Sequence, residues 1–472
     1  MKKNNLLALF KVSVLSASVL SVNVLSRMPD SRMPDYSTDV IGMSEIQLSV
    51  SHWLGKLAKD KLSQDNIPLM NLTSITQFNQ NLIQNNPYIV DPLAMVERLN
   101  KAQLLEKIRS ISKPSSHKLF YDNGEQLNQQ DYAVYIESTN QQAVKAVNTV
   151  TFGLVVRRSV LRTFPTSDRV FKWGKDRDLD RFQESGLFPG DAVAILHVSK
   201  DKQWLLVQAY NYLAWMPKEN VAIGNKSEIL AFKNDQNFIV VTGSKAFTNH
   251  VPNQAALSNI QLDMGIRLPL AKRSEYSNVL YGQNPFANYI VKLPIRNTDG
   301  KLVLKLVPIP RGQDVRIGYL PFTKQNLVTQ SFKFLGERYG WGHNYNGRDC
   351  TGFIGEIYKS FGLLMPRNSG QQAKSYYGLN NFFVKGAAKA DKLKAIKQLQ
   401  VGDLIYIPGH VMMYLGHENS KPYIIHDVKG LSYIDEYGEV YSGTLNGVSV
   451  TPLLPLKDYV NNITNIKRIR AK

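Results

Sequence analysis

Apolar residues near the start of the chain recur with the period of a helix. Ile46, Val50, Trp53, Leu54 and Leu57 share one face of a helix drawn over residues 43–63, and a second pattern of this kind runs from Asp91 to Ile108. These runs predict a small, partly helical region over residues 43–150. From residue 151 the period shortens to two. Phe152–Val156, Ala192–His197, Trp204–Tyr210 and Tyr212–Pro217 read as short strands around Trp204 and Trp215, which predicts a small barrel over 151–224. The texture continues in Phe238–Thr242, Tyr289–Leu293 and Leu302–Leu306, so a second barrel is expected over 225–322. The remainder, 323–472, is mixed. Thr351 to Phe361 reads as a helix with Phe353, Ile354, Ile357, Tyr358 and Phe361 on its apolar face and Gly362 as its stop. Beyond it, two apolar runs are broken by Pro408 and Gly409, and Tyr423–Val428 forms a further short strand. Ser369 and Gln372 have the spacing of a capping box. The expected fold class is α+β, in several domains.

The first residues change the picture. Met1–Asn5 is a basic leader to an apolar stretch ending near Leu25, the pattern of a secretory signal cleaved after Ser26. An uncleaved membrane anchor is the rival reading, but Lys11 splits the run and leaves less than the roughly 20 residues a spanning helix needs. Ser26–Asp30 is repeated as Ser31–Asp35, which marks residues 27–42 as a linker. An exported protein, periplasmic or secreted, is therefore expected. Lysine and arginine total 57 against 38 acidic residues, a net charge of +19 that favours anionic partners. Export turns that expectation away from nucleic acid and toward an anionic envelope surface and the carboxylates of peptidoglycan. With 43% hydrophobic residues the chain is globular rather than disordered, and with one cysteine it has no internal disulfide.

That cysteine, Cys350, lies in Tyr339-Gly340-Trp341-Gly342-His343-Asn344-Tyr345-Asn346-Gly347-Arg348-Asp349-Cys350-Thr351-Gly352-Phe353, where a glycine-rich polar loop gives way to the predicted helix. A thiol at a helix start meets unpaired backbone N–H groups, which favour the thiolate. An incidental core cysteine is the plainer alternative. His410 opens the run after Pro408-Gly409 and His426 sits in the next strand, so nucleophile, base and orienter are available as Cys350, His410 and His426. His417, between Gly416 and Glu418, reads as an exposed loop residue. No motif suggests a metal site or a cofactor.

These motifs resemble the NlpC-type cell-wall cysteine peptidases of papain-like fold. The resemblance rests on Tyr339–Gly342, Arg348–Phe353, Leu364–Gln372, Gly402–Leu404, His410-Val411 and Ile425-His426, with Thr351 where serine commonly follows the cysteine. The stretch Arg157–Thr166, with Asp180–Gln183, resembles the first bacterial SH3 domain found beside this peptidase type. The resemblance implies an N-terminal helical clip, two SH3-like domains and a C-terminal catalytic domain. It implies cleavage between γ-D-glutamate and a diamino acid in stem peptides of peptidoglycan. The first SH3-like domain, around Arg157–Thr166, is expected to close one side of the cleft, so that stems already freed from the glycan are preferred; the alternative is that both SH3-like domains bind wall polymer and leave the cleft open. Asp349 is then expected to bind the free amine of the stem's L-alanine, although it also suits an N-cap. Trp341 is expected to pack beside the peptide. Arg348 is expected either to pair with the D-glutamate carboxylate or to form an ordinary surface ion pair.

Two other functions stay open at this point. One is a wall-binding scaffold with an idle peptidase domain, and the other is an amidase or acyl transferase using the same residues. The residues do not rank diaminopimelate against lysine, nor do they fix an oligomeric state.

Overall fold

The structure is a computed structural model that describes residues 40, 43–59, 67–172, 177–435 and 437–470. The expected leader, 1–26, and the linker 27–42 apart from Val40 lie outside the described residues. Among the described residues no helix is long and apolar enough to cross a membrane.

The helical pattern at 43–63 becomes Glu45–Leu48 and Val50–Lys59. Trp53 is buried, donates Nε1–H to Gln47 O at 2.8 Å and packs on Tyr423 with ring centroids 5.4 Å apart. This first helix therefore shares its core with the C-terminal region, more than 350 residues on in a chain of 472. A helix not foreseen, Leu72–Asn85, follows behind an Asn71 cap. The pattern over Asp91 to Ile108 is not one helix. Asp91 accepts from Leu93 N–H and starts a short turn at Pro92–Ala94, a strand Arg98–Asn100 intervenes, and Asn100 caps the helix Lys101–Ile111. Two caps inside one apolar pattern split it.

Seven antiparallel strands between Thr151 and Gly224 form one sheet, in the order Val221–Gly224, Thr151–Val155, Ala192–Val198, Trp204–Gln208, Leu213–Pro217, Ser159–Arg162, Gln183–Leu187. Trp215 is buried at its centre and gives Nε1–H to Ser112 Oγ at 2.8 Å, which ties the helix Lys101–Ile111 to the sheet. Residues 225–322 hold smaller sheets, among them the three strands Arg267–Pro269, Phe238–Val241 and Val315–Ile317 and the hairpin Asn288–Arg296 with Leu302–Pro310.

The C-terminal region is a six-stranded antiparallel sheet in the order Leu379–Phe382, Asn465–Arg468, Leu404–Ile407, His410–Glu418, Lys421–Ile434, Val440–Pro452. Helix Cys350–Lys359 packs on it through Phe353, Ile354 and Ile357, against Val411, Met413, Ile425 and Val450. Each such fully buried side chain contributes about 1.5–3 kcal/mol, so the helix start is fixed on the sheet. The helix ends two residues before the expected Phe361, and the chain leaves it through Gly362 at φ +84°, a conformation glycine takes without strain.

Candidate functional site

Asp349 is extended and accepts Gly352 N–H at 2.8 Å, so it caps the helix that Cys350 opens. The thiol is buried, and the Val411 backbone N–H lies against it. The expectation that the helix start favours the thiolate is corrected here. Burial, helped by the adjacent Asp349 carboxylate, pushes Cys350 up to about 12 against the pull of Val411. The resting sulfur is a neutral thiol.

His410 follows the Pro408-Gly409 turn, in which Gly409 has φ +79° and Ile407 pairs with His410. Its Nε2 lies 2.9 Å from Nδ1 of His426, whose Nε2 lies 3.1 Å from Thr451 Oγ1. Tyr459 stands edge-on to both rings at centroid distances of 6.2 and 6.5 Å. Burial pulls His410 down to about 4; burial and then His410 hold His426 well below its usual range. Both rings are neutral at neutral pH. His410 has His426 as its hydrogen-bond partner among the described residues, and its chain neighbour Val411 touches the thiol. The strand and the helix thus bring the three residues to one place without a thiol–imidazole bond in this state. Such bonds are often long before substrate arrives.

Asp349 is filled. Arg367, 5% exposed, donates to its two oxygens at 3.1 and 2.6 Å, and Gly342 N–H, Thr351 O–H and Gly352 N–H supply three more bonds. Burial opposes the Asp349 charge, but Arg367 outweighs it and holds the carboxyl well below the usual carboxylate range. No acceptor position is open on it for a substrate amine, which corrects the role expected from the resemblance. Arg348 is corrected as well. It is fully buried, with Nε 2.6 Å from Glu356, Nη2 2.9 Å from Asp263 and a further ion pair to Glu337, so it is neither a surface pair nor free to meet a substrate carboxylate. Trp341 is half-buried at the seam with the first SH3-like sheet: Nε1–H donates to Gln183 O at 3.0 Å and the Arg181 guanidinium lies 4.6 Å from its ring. The expected wall is therefore docked on a neighbouring domain.

Between Trp341 and Arg348 the backbone is left-handed at Gly342, His343, Tyr345 and Asn346, with φ between 52° and 68°. Gln183 Nε2–H holds Gly342 O at 2.7 Å, and a Cβ on Gly342 would come within 2.9 Å of Gln183 Cγ. His343 is buried, 3.2 Å from Glu356 and edge-on to Phe188; burial brings it down to about 4 although Glu356 pulls the other way. Such strain persists only where surroundings over-determine it.

His417 is exposed, as expected, but at the end of strand His410–Glu418 and bonded to the Tyr414 hydroxyl. The capping box is corrected by one residue: Asn368 N–H meets Gln371 Oε1 at 3.2 Å, while Gln372 is buried and donates to Pro366 O at 2.8 Å. Sequence reading missed Arg367, His343, Gln183, Thr451, Tyr459 and Asp427. Arg367 carried one signal, a charge directly after the apolar Leu363–Pro366. Asp427, beside Cys350, is 1% exposed and has no hydrogen bond to either oxygen; burial, Asp349 and Glu337 push its carboxyl well above the usual range.

Residues 336–448 match the NlpC/P60 family, and residues 168–217 match the SH3 domain of SH3b1 type. The gamma-D-glutamyl-L-lysine dipeptidyl-peptidase of Bacillus cereus is 27% identical over 284 residues, covering 53% of this chain and 72% of that protein. A solved NlpC/P60 endopeptidase from Photobacterium damselae subsp. piscicida is similar in fold, with a TM-score of 0.68 and 18% identity over 86% of this chain and 95% of the other. An NlpC/P60 family protein of Bacillus cereus gives a TM-score of 0.47 at 22% identity, over 67% of this chain and 99% of the other. This is an α+β multidomain chain with an SH3b domain followed by an NlpC/P60 domain at its C-terminal end.

Proposed function

We propose that the protein is an exported cysteine peptidase that cleaves the γ-D-glutamyl–diamino acid bond of peptidoglycan stem peptides. The observation that carries this reading is the His410–His426 pair, 2.9 Å apart across neighbouring strands, with Val411, next to His410 on its strand, giving its N–H to the Cys350 thiol. The similarity to a gamma-D-glutamyl-L-lysine dipeptidyl-peptidase supports the bond assignment. Cell-wall relatives support a periplasmic or extracellular site of action.

In this reading His410 holds its Nε2 proton toward His426, leaving Nδ1 with the lone pair. Nδ1 takes the Cys350 proton as sulfur attacks the stem carbonyl and returns it to the leaving amine; it then takes a proton from the water that cleaves the resulting thioester and gives it back to sulfur, which restores the thiol. His426 fixes the tautomer and passes its own Nε2–H to Thr451. Because the resting thiol is neutral, proton transfer and attack belong to the same stage. Asp349 and Arg367 build the floor of the site. The substrate amine is assigned to Glu184 of the SH3b domain. That carboxylate accepts the hydroxyls of Thr163 and Tyr212 and has no cationic partner among the described residues, and Tyr212 is within electrostatic reach of Arg367.

Cys350→Ala is expected to lower hydrolysis of L-Ala-γ-D-Glu-diamino acid peptides by about 10⁴-fold or more while leaving the fold intact. Near-normal cleavage by that variant would falsify the mechanism. Mass spectrometry of the products separates the peptidase from an amidase or an acyl transferase. Glu184→Gln is expected to slow the free-amine peptide by about tenfold and leave its N-acetylated form unchanged; equal slowing of both removes Glu184 from amine recognition.

A further inference from the structure

The six-stranded sheet ends in strand Leu379–Phe382, which is paired on one side only, to Asn465–Arg468. Around this edge apolar side chains stand in solvent: Tyr376 is 78% exposed, Leu379 39%, Phe382 46% and Val384 79%. Tyr376 and Phe382 meet edge to face with ring centroids 5.5 Å apart, so they form a cluster. Contiguous apolar surface of this kind marks an interaction site.

The flanking chain is basic. Residues 374–397 contain six lysines and a single acidic residue, Asp391. Lys392 is buried and gives its ammonium to Asn461 O. Lys385, Lys389, Lys394 and Lys397 are exposed, and none of their ammonium groups makes a hydrogen bond or ion pair with a described residue. Helix Lys389–Ile396 turns Ala395 and Ile396 inward and leaves these charges outside.

The occupant follows from this chemistry. A second copy of the chain would set lysine against lysine, and lysines beside an edge strand discourage strand-to-strand pairing. A soluble polyanion would use the lysines but gives Phe382 and Val384 no apolar phase to enter. An anionic bilayer surface uses both, because aromatic and aliphatic side chains enter the headgroup boundary while lysines lie over anionic headgroups.

We propose that this edge docks the protein on an anionic lipid bilayer, with Phe382 and Val384 inserted and Lys385, Lys389, Lys394 and Lys397 lying over the headgroups. The helix Tyr459–Asn462 joins the docking edge to the site, since Asn461 receives Lys392 while Tyr459 packs on His410 and His426. Docking there sets the orientation of the cleft to the membrane. The inference stands apart from the peptidase reading and its bond assignment.

The test is sedimentation of the full chain with vesicles of mixed phosphatidylglycerol and phosphatidylcholine, and with vesicles of phosphatidylcholine alone. Any contribution of residues 1–39 is common to parent and variants. The parent is expected to partition at least about tenfold better to the anionic vesicles. Changing Lys385, Lys389, Lys394 and Lys397 together to Gln is expected to remove about tenfold of that binding, and Phe382→Ser with Val384→Ser about fivefold, with thermal unfolding unchanged. Four results overturn the proposal: equal partition of parent and both variants, equal binding to neutral vesicles, binding to soluble polyglutamate that ignores the serine pair, or a dimer in velocity sedimentation that the serine pair abolishes.

Discussion

The SH3b domain and the region 225–322 both grip the NlpC/P60 domain at the junction of loop and helix, yet by different chemistry. The SH3b domain shapes the strained loop through Gln183, which holds Gly342 O and accepts from Trp341; beside the loop Ser185 accepts from Arg367, and the partly exposed pair Arg338–Asp178 closes the seam. The region 225–322 acts from behind through desolvated charge. Asp263 and Ser244 O take Arg348, Lys245 pairs with Glu337 at 3.3 Å, and a Cβ on Gly265 would meet Lys359 Cβ at 2.5 Å. One neighbour shapes the loop beside the thiol; the other anchors the helix that carries it. Position and stability are therefore set by separate contacts.

The most severe break lies on the second side. Arg348→Met takes the guanidinium from Glu356 and leaves Asp263 only Arg158 at 3.5 Å, and breaking a buried pair costs about 3–5 kcal/mol. Denaturant unfolding of the full chain measures it, and a loss under about 1 kcal/mol would show that the region 225–322 does not anchor the helix.

The SH3b side is expected to yield to acid. The folded pKa of His343 is depressed from 6.5 to about 4, so its share of stability is present above pH 6.5 and lost as pH falls through 4. Glu356, lowered to about 2 by Arg348 and His343 against burial, adds a loss below its usual 4.5. Asp263 runs the other way. Burial and Glu356 outweigh Arg348 and Arg158 and raise its carboxyl, so its share is greatest in acid and declines as pH rises. His343→Asn keeps a residue tolerant of the left-handed backbone and is expected to flatten the stability profile between pH 6.5 and 4 by about 1–3 kcal/mol. An unchanged profile assigns the acid loss to His410 and His426 instead.

The finest separation comes from Trp341→Phe, which keeps the ring and deletes the bond to Gln183 O. Stability is expected to fall by about 1 kcal/mol and kcat/KM on free stem peptides by about tenfold, through misplacement of the loop. Full activity with a large loss of stability would reverse the assignment of the two neighbours.

Much of this was legible in the chain. The apolar runs Trp204–Tyr210 and Leu302–Leu306 located strands within a residue or a few, because short runs of apolar residues between turns mark a strand. Cys350, His410 and His426 were marked by their places at a helix start and on strands, which local pattern records. Leu72–Asn85 was hidden by its asparagine and glutamine content, although Asn71, Ile75 and Leu82 gave it a cap and an apolar face. What local pattern does not carry is the partner of a buried charge. Arg348 and Arg367 look alike as surface cations, and only the fold reveals that one has three acids around it and the other fills Asp349. The amine role expected for Asp349 failed for the same reason: the cation that occupies its carboxylate lies 18 residues away in sequence and 2.6 Å away in space.

The burial of Cys350 also bears on how the protein withstands oxidants. Burial, which pushes the thiol up, disfavours the thiolate at neutral pH, and peroxides attack the thiolate. The one thiol of the chain is thus shielded from conversion to sulfinic and sulfonic acid in its resting state. Incubation with hydrogen peroxide should leave the Cys350 thiol of the idle protein unmodified for far longer than a free cysteine peptide, with damage at this sulfur gathering while substrate is present. An enzyme built this way ages with use and not with waiting.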